Sequence, residues 1–311
     1  MLNRFAIFTS TATFFLIIAG ALVTSTGSGL AVPDWPLSFG RFFPDMTGGV
    51  FYEHGHRMIA GTVGILTAVL AAWLGLKEER RWMRGLGVTA LAAVAAQATL
   101  GGITVLYRLP QWVSVSHAVL AQTFFCLTIA IAFFTSPDNS FPLPNRERMP
   151  EGQVREAKRL FFLSAAAADL VYIQLILGAA LRHNGSNLFL NLHVSTAVLV
   201  LLAVSFLTAE IFRRHRSSKS LTRMVLFLDA LLTVQAALGI VTAFPSLFPP
   251  VLSWAGRVAV VTGHVGTGAL ILGGSFLIAL KSFQMLRQGQ TAGAEAAEKP
   301  PYLSGPLALE S

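Results

Sequence analysis

A single cysteine, Cys126, stands in the 311 residues, and it lies inside an apolar run. One thiol excludes an internal disulfide, a cysteine-based zinc site and a thiol relay, so any metal held by side chains leans on histidine. Charge is scarce as well: Asp, Glu, Lys and Arg make up 12% of the chain against 54% hydrophobic residues, and the mean hydropathy is +0.63. So little charge cannot cover a soluble domain, and the composition belongs to the polytopic membrane class. Acid is rarer than base, 15 residues against 23, for a net charge of +8. That balance could suit nucleic acid, but the basic residues fall in short clusters between apolar runs, as membrane orientation requires. Nucleic acid is therefore not an expected partner. An Arg- and Ser-rich presequence and a small-residue cleavage site are both missing before the first apolar run, so that run is read as a retained helix.

What is present is a series of apolar segments. A bilayer core needs about 20 apolar residues per helix, and eight segments meet that length: 5–25, 57–76, 85–106, 113–134, 160–181, 190–212, 223–243 and 257–281. The expected fold is an all-α membrane protein of eight transmembrane helices, arranged as two pseudo-symmetric four-helix bundles. KEERRWMR (77–84), the stretch holding Arg146 to Arg159, and RRHRSSKSLTR (213–223) carry most of the basic residues. Of the 23 Lys and Arg, the opposite side holds only Arg41, Arg57, Arg108, Arg182 and Arg257. The positive-inside rule then places both termini in the cytoplasm. Residues 1–134 form the N-terminal bundle, 135–159 a cytoplasmic linker, 160–287 the C-terminal bundle, and 288–311 a polar, disordered tail.

The duplication is visible in the residues. QATLGGITV (97–105) matches QAALGIVTA (235–243), and GALVTSTGS (20–28) matches GAALRHNGS (178–186), each pair at corresponding spans. Internal repeats in membrane proteins often frame paired sites.

Four of the seven histidines occupy one kind of place: His56, His117, His193 and His264 open the second, fourth, sixth and eighth spans. Two imidazoles per half make a bis-imidazole arrangement in duplicate, the usual grip of a helix bundle on a haem iron. Four residues after each stand Ala60, Ala121, Ala197 and Gly268, one turn along the same face. Small residues there leave clearance for a flat macrocycle, although they also serve helix packing.

With these residues the sequence resembles the heme A synthase family, polytopic enzymes that convert heme O to heme A for terminal oxidases. The resemblance rests on GALVTSTGSGLAVPDWPLSFG after the first span, on EHGHRMIAG opening the second, on the four His-bearing spans and on the duplicated plan. It implies that His56 and His117 hold heme O as substrate and that His193 and His264 hold a heme b cofactor through its iron. It makes Glu53 the catalytic carboxylate at the reacting edge, where one porphyrin methyl is oxidised to a formyl group. A bis-His iron has no open position, so the favoured route removes electrons from the macrocycle, takes a proton from the methyl at Glu53 and adds water. The resemblance further implies a bacterial or archaeal cell membrane, a heme O synthase as a candidate supplier, and an electron acceptor that remains unnamed. The competing class is a di-haem electron-transfer protein of b type that performs no haem chemistry. Many relatives carry a cysteine pair in the first outer loop where this chain has Val32 and Ser38, so a thiol-based step is not expected here.

The remaining polar residues have two readings each. Arg57, Arg182 and Arg257 are candidates for haem propionate contacts, or plain interface anchors. Asp169 and Asp229 relay protons, or bond one helix to another. Gln97 and Gln235, matched across the repeat, tie helices together. His54 is a loop residue or a partner of the site, and Trp35, between Pro33 and Pro36, stiffens a cap over the outer pocket. His183 and His215 receive no role.

Overall fold

The computed structural model describes residues 1–139, 151–248 and 253–298. These form eight long helices: α1 (Leu2–Ser25), α2 (Gly49–Lys77), α3 (Arg81–Leu106), α4 (Gln111–Phe134), α5 (Glu151–Asn184), α6 (Asn187–Arg214), α7 (Lys219–Ala243) and α8 (Trp254–Glu298). All eight are long and apolar enough to cross a membrane. At 1.5 Å rise per residue, even the 24 residues of α1 span roughly 36 Å. Among the described residues no strand forms, as a lipid environment demands: helices satisfy every backbone group within the segment. The protein is an all-α, eight-span membrane protein.

Helix boundaries depart from the apolar runs in an informative way. Helix α2 starts at Gly49, two turns before the expected span at 57, so Glu53, His54, His56 and Arg57 lie within the helix. Helix α5 starts at Glu151 rather than 160, which takes in part of the expected linker. Helix α8 runs to Glu298, beyond the expected tail boundary at 287. Polar residues can continue a helix past the bilayer because nothing in Gln, Glu, Ala or Lys breaks it. The linker residues 140–150 and the end of the tail, 299–311, lie outside the described residues.

Packing draws on two main clusters. One joins Leu160, Val171, Val204, Leu207, Leu228 and Ile271 from α5 to α8. The other joins Ala6, Val63, Leu70, Leu74, Met83 and Phe124 from α1 to α4, with Phe276 and Leu280 of α8 against it. A small third cluster of Ile17, Phe125, Ile129 and Ala269 joins α1, α4 and α8. In lipid the helices gain little from apolar burial and associate by close contact at small residues. Gly273 of α8 shows this: a Cβ there would stand 2.8 Å from Ile129 Cδ1. Gly87 of α3 lets that helix approach α2, since a Cβ would lie 3.3 Å from the Cα of Ala71. Helix α8 is the most enclosed span, with 56% of its apolar window buried against 17% for α3 and α7.

Candidate functional site

The four histidines come to one end of the bundle, near the N-terminal ends of α2, α4, α6 and α8, where α1, α3, α5 and α7 finish. Each imidazole is seated on a glycine of the preceding helix. A Cβ at Gly20 would lie 3.2 Å from His56 Cε1, at Gly101 3.2 Å from His117 Cε1, at Gly178 2.9 Å from His193 Cε1 and at Gly239 3.4 Å from His264 Cε1. The missing Cβ atoms are what let the Cε1 edge of each ring come this close to the neighbouring helix.

Three of these seats carry a glutamine one turn before the glycine. Gln97, Gln174 and Gln235 place Nε2 at 3.5, 3.3 and 3.3 Å from the Nε2 of His117, His193 and His264. Gln97 Nε2 also donates to the His117 carbonyl at 2.9 Å, and His193 Nδ1 lies 3.1 Å from the Gln174 carbonyl. On α1 the equivalent position is Leu16, so His56 has no such partner. The expected role of Gln97 and Gln235 as interhelical contacts thus has a specific object, the histidines. Gln174 and the four glycines were missed. The signal was present as QATLG, QLILG and QAALG, but the contact it encodes runs between helices and has no periodicity along either.

The C-terminal pair is close. The rings of His193 and His264 have centroids 6.4 Å apart at an interplanar angle of 65°. Two imidazoles on opposite sides of one metal ion, with bonds of about 2.0–2.1 Å and roughly 1.1 Å more from nitrogen to ring centre, place their centroids about 6.3 Å apart. The observed centroid spacing matches that distance. Among the described residues no three His, Cys, Asp or Glu converge on a point. An ion held here by two imidazoles needs its other donors from a ligand, and the four nitrogens of a porphyrin supply that number. Buried polar atoms without partners lie at all four histidine seats: Nδ1 of His56, His117 and His264, and Oε1 of Gln97, Gln174 and Gln235. Such orphaned groups are few in folded proteins and mark places where a ligand completes the structure. The residues present fit a haem. Of the small residues one turn after each histidine, Gly268 faces Gln235, whose Nε2 would stand 3.4 Å from a Cβ there.

Around His56 the connection between α1 and α2 folds over the helix. Glu53 is 4% exposed. One oxygen takes the Arg57 guanidinium at 2.6 Å, and the other accepts the Val32 N–H at 2.9 Å. Arg57 also donates to the carbonyls of Asp34 and Leu37, both at 2.7 Å. The buried His54 bonds Ser38 Oγ through Nδ1 at 2.8 Å, which makes it a partner of the loop. Ser38 and Arg41 close a tight turn, with both central residues, Phe39 and Gly40, at positive φ. Asp34 receives the Phe39 and Gly40 N–H groups at 2.7 Å each. Those bonds, the Gly40 contact foremost, hold its carboxyl below the usual carboxylate value, with the nearby Arg57 acting in the same direction and burial opposing them. Trp35 then reaches α3, where a Cβ on Gly102 would stand 2.7 Å from its ring. Gly102 adjoins Gly101, the seat of His117. The loop thus touches the helices on both sides of the His56 and His117 pair.

The three arginines differ. Arg57 is committed to Glu53 and the loop carbonyls. Arg182, one turn beyond the Gly178 seat, donates to Ser25 Oγ of α1 at 2.9 Å and pairs with no carboxylate among the described residues. Ser25 also meets Thr262, two residues before His264, at 3.2 Å. Arg257 stands in the first turn of α8. Asp169 is exposed on α5, whereas Asp229 makes an interhelical bond to Thr208.

Similar proteins add a family to this geometry. A heme A synthase of Bacillus pumilus is 24% identical over 270 residues, which cover 79% of this chain and 86% of that protein. One of Bacillus licheniformis is 28% identical over 189 residues, 60% of each chain. Another, of Alkalihalophilus pseudofirmus, is 32% identical over 135 residues, 42% of this chain and 43% of the relative. The family model of COX15-CtaA, described as cytochrome oxidase assembly protein, matches residues 3–192, and with more than half of its length so matched the chain belongs to that family.

Proposed function

We propose that the protein is a heme A synthase, oxidising a methyl group of heme O to a formyl group. His56 and His117 of the N-terminal half take the substrate, and His193 and His264 of the C-terminal half hold a resident heme b. The carrying observation is the imidazole pair at 6.4 Å with no third side-chain ligand in reach among the described residues. Resident haem supplies one-electron redox chemistry when bound. The protein's own groups do the rest. The glycine seats let the rings approach the neighbouring helices, and the glutamines orient three of the four rings. Arg182, a half-buried cation without a carboxylate, suits a propionate at the mouth of the site.

Glu53 is the proposed proton acceptor. Each of its oxygens accepts one hydrogen bond, from Arg57 and from the Val32 N–H, which leaves a lone pair on each for the proton. The same ion pair anchors the loop, which couples the carboxylate to closure over the substrate and to exclusion of water. A bis-His electron carrier has no use for such a covered carboxylate three residues from a ligand. The chain works as a multi-pass membrane protein, and we place both termini in the cytoplasm of a bacterial or archaeal cell.

Extraction of the haems from the purified protein tests the proposal. Heme O or heme A beside heme B is the expected result. Heme B alone in both sites overturns it in favour of an electron carrier.

A further inference from the structure

The C-terminal half contains a largely apolar groove, with four polar residues in its wall, that the haem sites leave unused. Helices α6 and α7 part to leave a space of about 650 Å³, lined by Val204, Ser205, Thr208, Phe212, Asp229 and Thr233 among others. Within it the Thr208 hydroxyl donates to both oxygens of Asp229, at 3.1 and 3.2 Å. Asp229 is half-buried, ten residues into α7, and so about 15 Å from the helix start and deep in the membrane. An ionisable group at that depth is costly to keep in lipid and is functional by default.

The N-terminal half shows what the same place looks like without this feature. Aligning α3 with α7 on their Gln-x-x-x-Gly seats, and α2 with α6 on His56 and His193, sets Ser205, Thr208, Asp229 and Thr233 against Ala68, Ala71, Leu91 and Ala95. All four polar positions become apolar. The helices also close up there, because Gly87 lies against Ala71 where α7 has the buried Val225. The groove and its polar lining therefore belong to one half only, the half assigned to the resident haem.

The groove lies on a neighbouring face of the helix that carries one glutamine of that site. Asp229 precedes Gln235 by six residues, about 9 Å along the axis, and Gln235 touches His264. We propose that this groove binds a lipid-soluble quinone that accepts the electrons of the reaction, an inference that rests on the haem reading above. Conversion of a methyl group and one water to a formyl group releases four electrons and four protons. Two quinones, each taking two electrons and two protons, become two quinols and close the balance. A molecule that enters from lipid at this depth must itself be apolar, and its ring oxygens need a donor and a proton source. Thr208 and Asp229 supply both, and the volume suits a ring with the start of a prenyl chain.

The test uses the full-length protein in detergent, with its haem reduced anaerobically and mixed with decylubiquinone. Reoxidation of the haem should saturate with quinone concentration. Asp229→Leu should slow it at least tenfold and Asp229→Asn less, with haem spectra unchanged, while Leu91→Ala has no effect. Independently of haem, an azidoquinone should label α6 and α7 peptides in His264→Ala protein, and the label should disappear on adding Asp229→Leu. Equal reoxidation in wild type and Asp229→Leu, or labelling elsewhere in the chain, overturns the acceptor site. A haem signal that does not depend on His193 and His264 overturns the reading beneath it, and the acceptor role with it.

Discussion

Glycine governs the site through what it lacks. Gly178 and Gly239 do the same task at different tolerances, 2.9 and 3.4 Å from the ring carbon to a built Cβ. The first distance is one that real side chains do not adopt, and the second is ordinary contact. Gly178→Ala should therefore displace His193 at an overpacking cost of about 1–3 kcal/mol, a loss of roughly 5- to 150-fold in haem retention at 1.4 kcal/mol per factor of ten. Gly239→Ala should have little effect. Alanine favours helix over glycine, so thermal stability should hold in both variants, which separates ring displacement from unfolding. Haem absorbance per protein, measured beside a melting curve, decides the matter; equal occupancy in the two variants would contradict the seating role. Glu53→Gln asks a different question. Glutamine keeps an acceptor for the Val32 N–H but cannot take the proton and loses the charge facing Arg57. Haem should still bind while heme A formation falls about 10²- to 10⁴-fold, the usual contribution of a general base. Near-normal heme A from cells expressing the variant would reduce Glu53 to an anchor of the loop.

At the scale of elements, the connection between α1 and α2 carries the asymmetry between the halves. The corresponding connection between α5 and α6 is only Gly185 and Ser186, so nothing comparable folds over the second half from there. With Cys126 the single cysteine of the chain, no internal disulfide can clamp this loop. In this chain Val32 and Ser38 are both fully buried, and they bond Glu53 and His54 instead. Hydrogen bonds in place of a covalent clamp make the loop sensitive to pH. The Asp34 carboxyl is lowered in the folded state, so its contribution is complete above the unfolded value of about 3.9 and is lost as pH falls through the lower folded value. Hydrogen exchange at Phe39 and Gly40 should accelerate below about pH 4, and Asp34→Asn should remove that acid step; an unchanged exchange profile in the variant would show that the turn holds without the carboxylate. Much of this element was hidden from the sequence. The Gly- and Pro-rich composition suggested a cap with Trp35 in it, and Trp35 packs against Gly102 of α3. The Glu53 and Arg57 pairing depends on α2 beginning at Gly49, and no apolar periodicity marks that start because residues 49–57 are not a lipid-facing run.

Across the whole molecule, the features set by bulk composition and periodicity were legible: eight spans, and four histidines at like positions. Features set by contacts between helices were not, including the glycine seats, the third glutamine Gln174 and the parting of α6 from α7. The main cores explain what loss of one site should do to the other. The cluster of α5 to α8 and that of α1 to α4 share no residue, and the small cluster of Ile17, Phe125, Ile129 and Ala269 joins α1, α4 and α8 without involving a histidine. Truncating His264 removes an imidazole at the mouth of the bundle and leaves Leu228, Ile271 and Ile278 packed below it. His193→Ala or His264→Ala should therefore abolish the resident haem signal while the N-terminal half still binds its haem, and His56→Ala or His117→Ala should do the reverse. Absorption spectra, haem content per chain and melting temperature for the four variants make the measurement. One haem lost per variant, at near-constant melting temperature, is the expected pattern, since ligand loss alone lowers stability only by the binding linkage. Loss of both haems from every single variant would mean that the two halves form one cooperative site, and identical spectra in His193→Ala, His264→Ala and wild type would remove the C-terminal pair from the account.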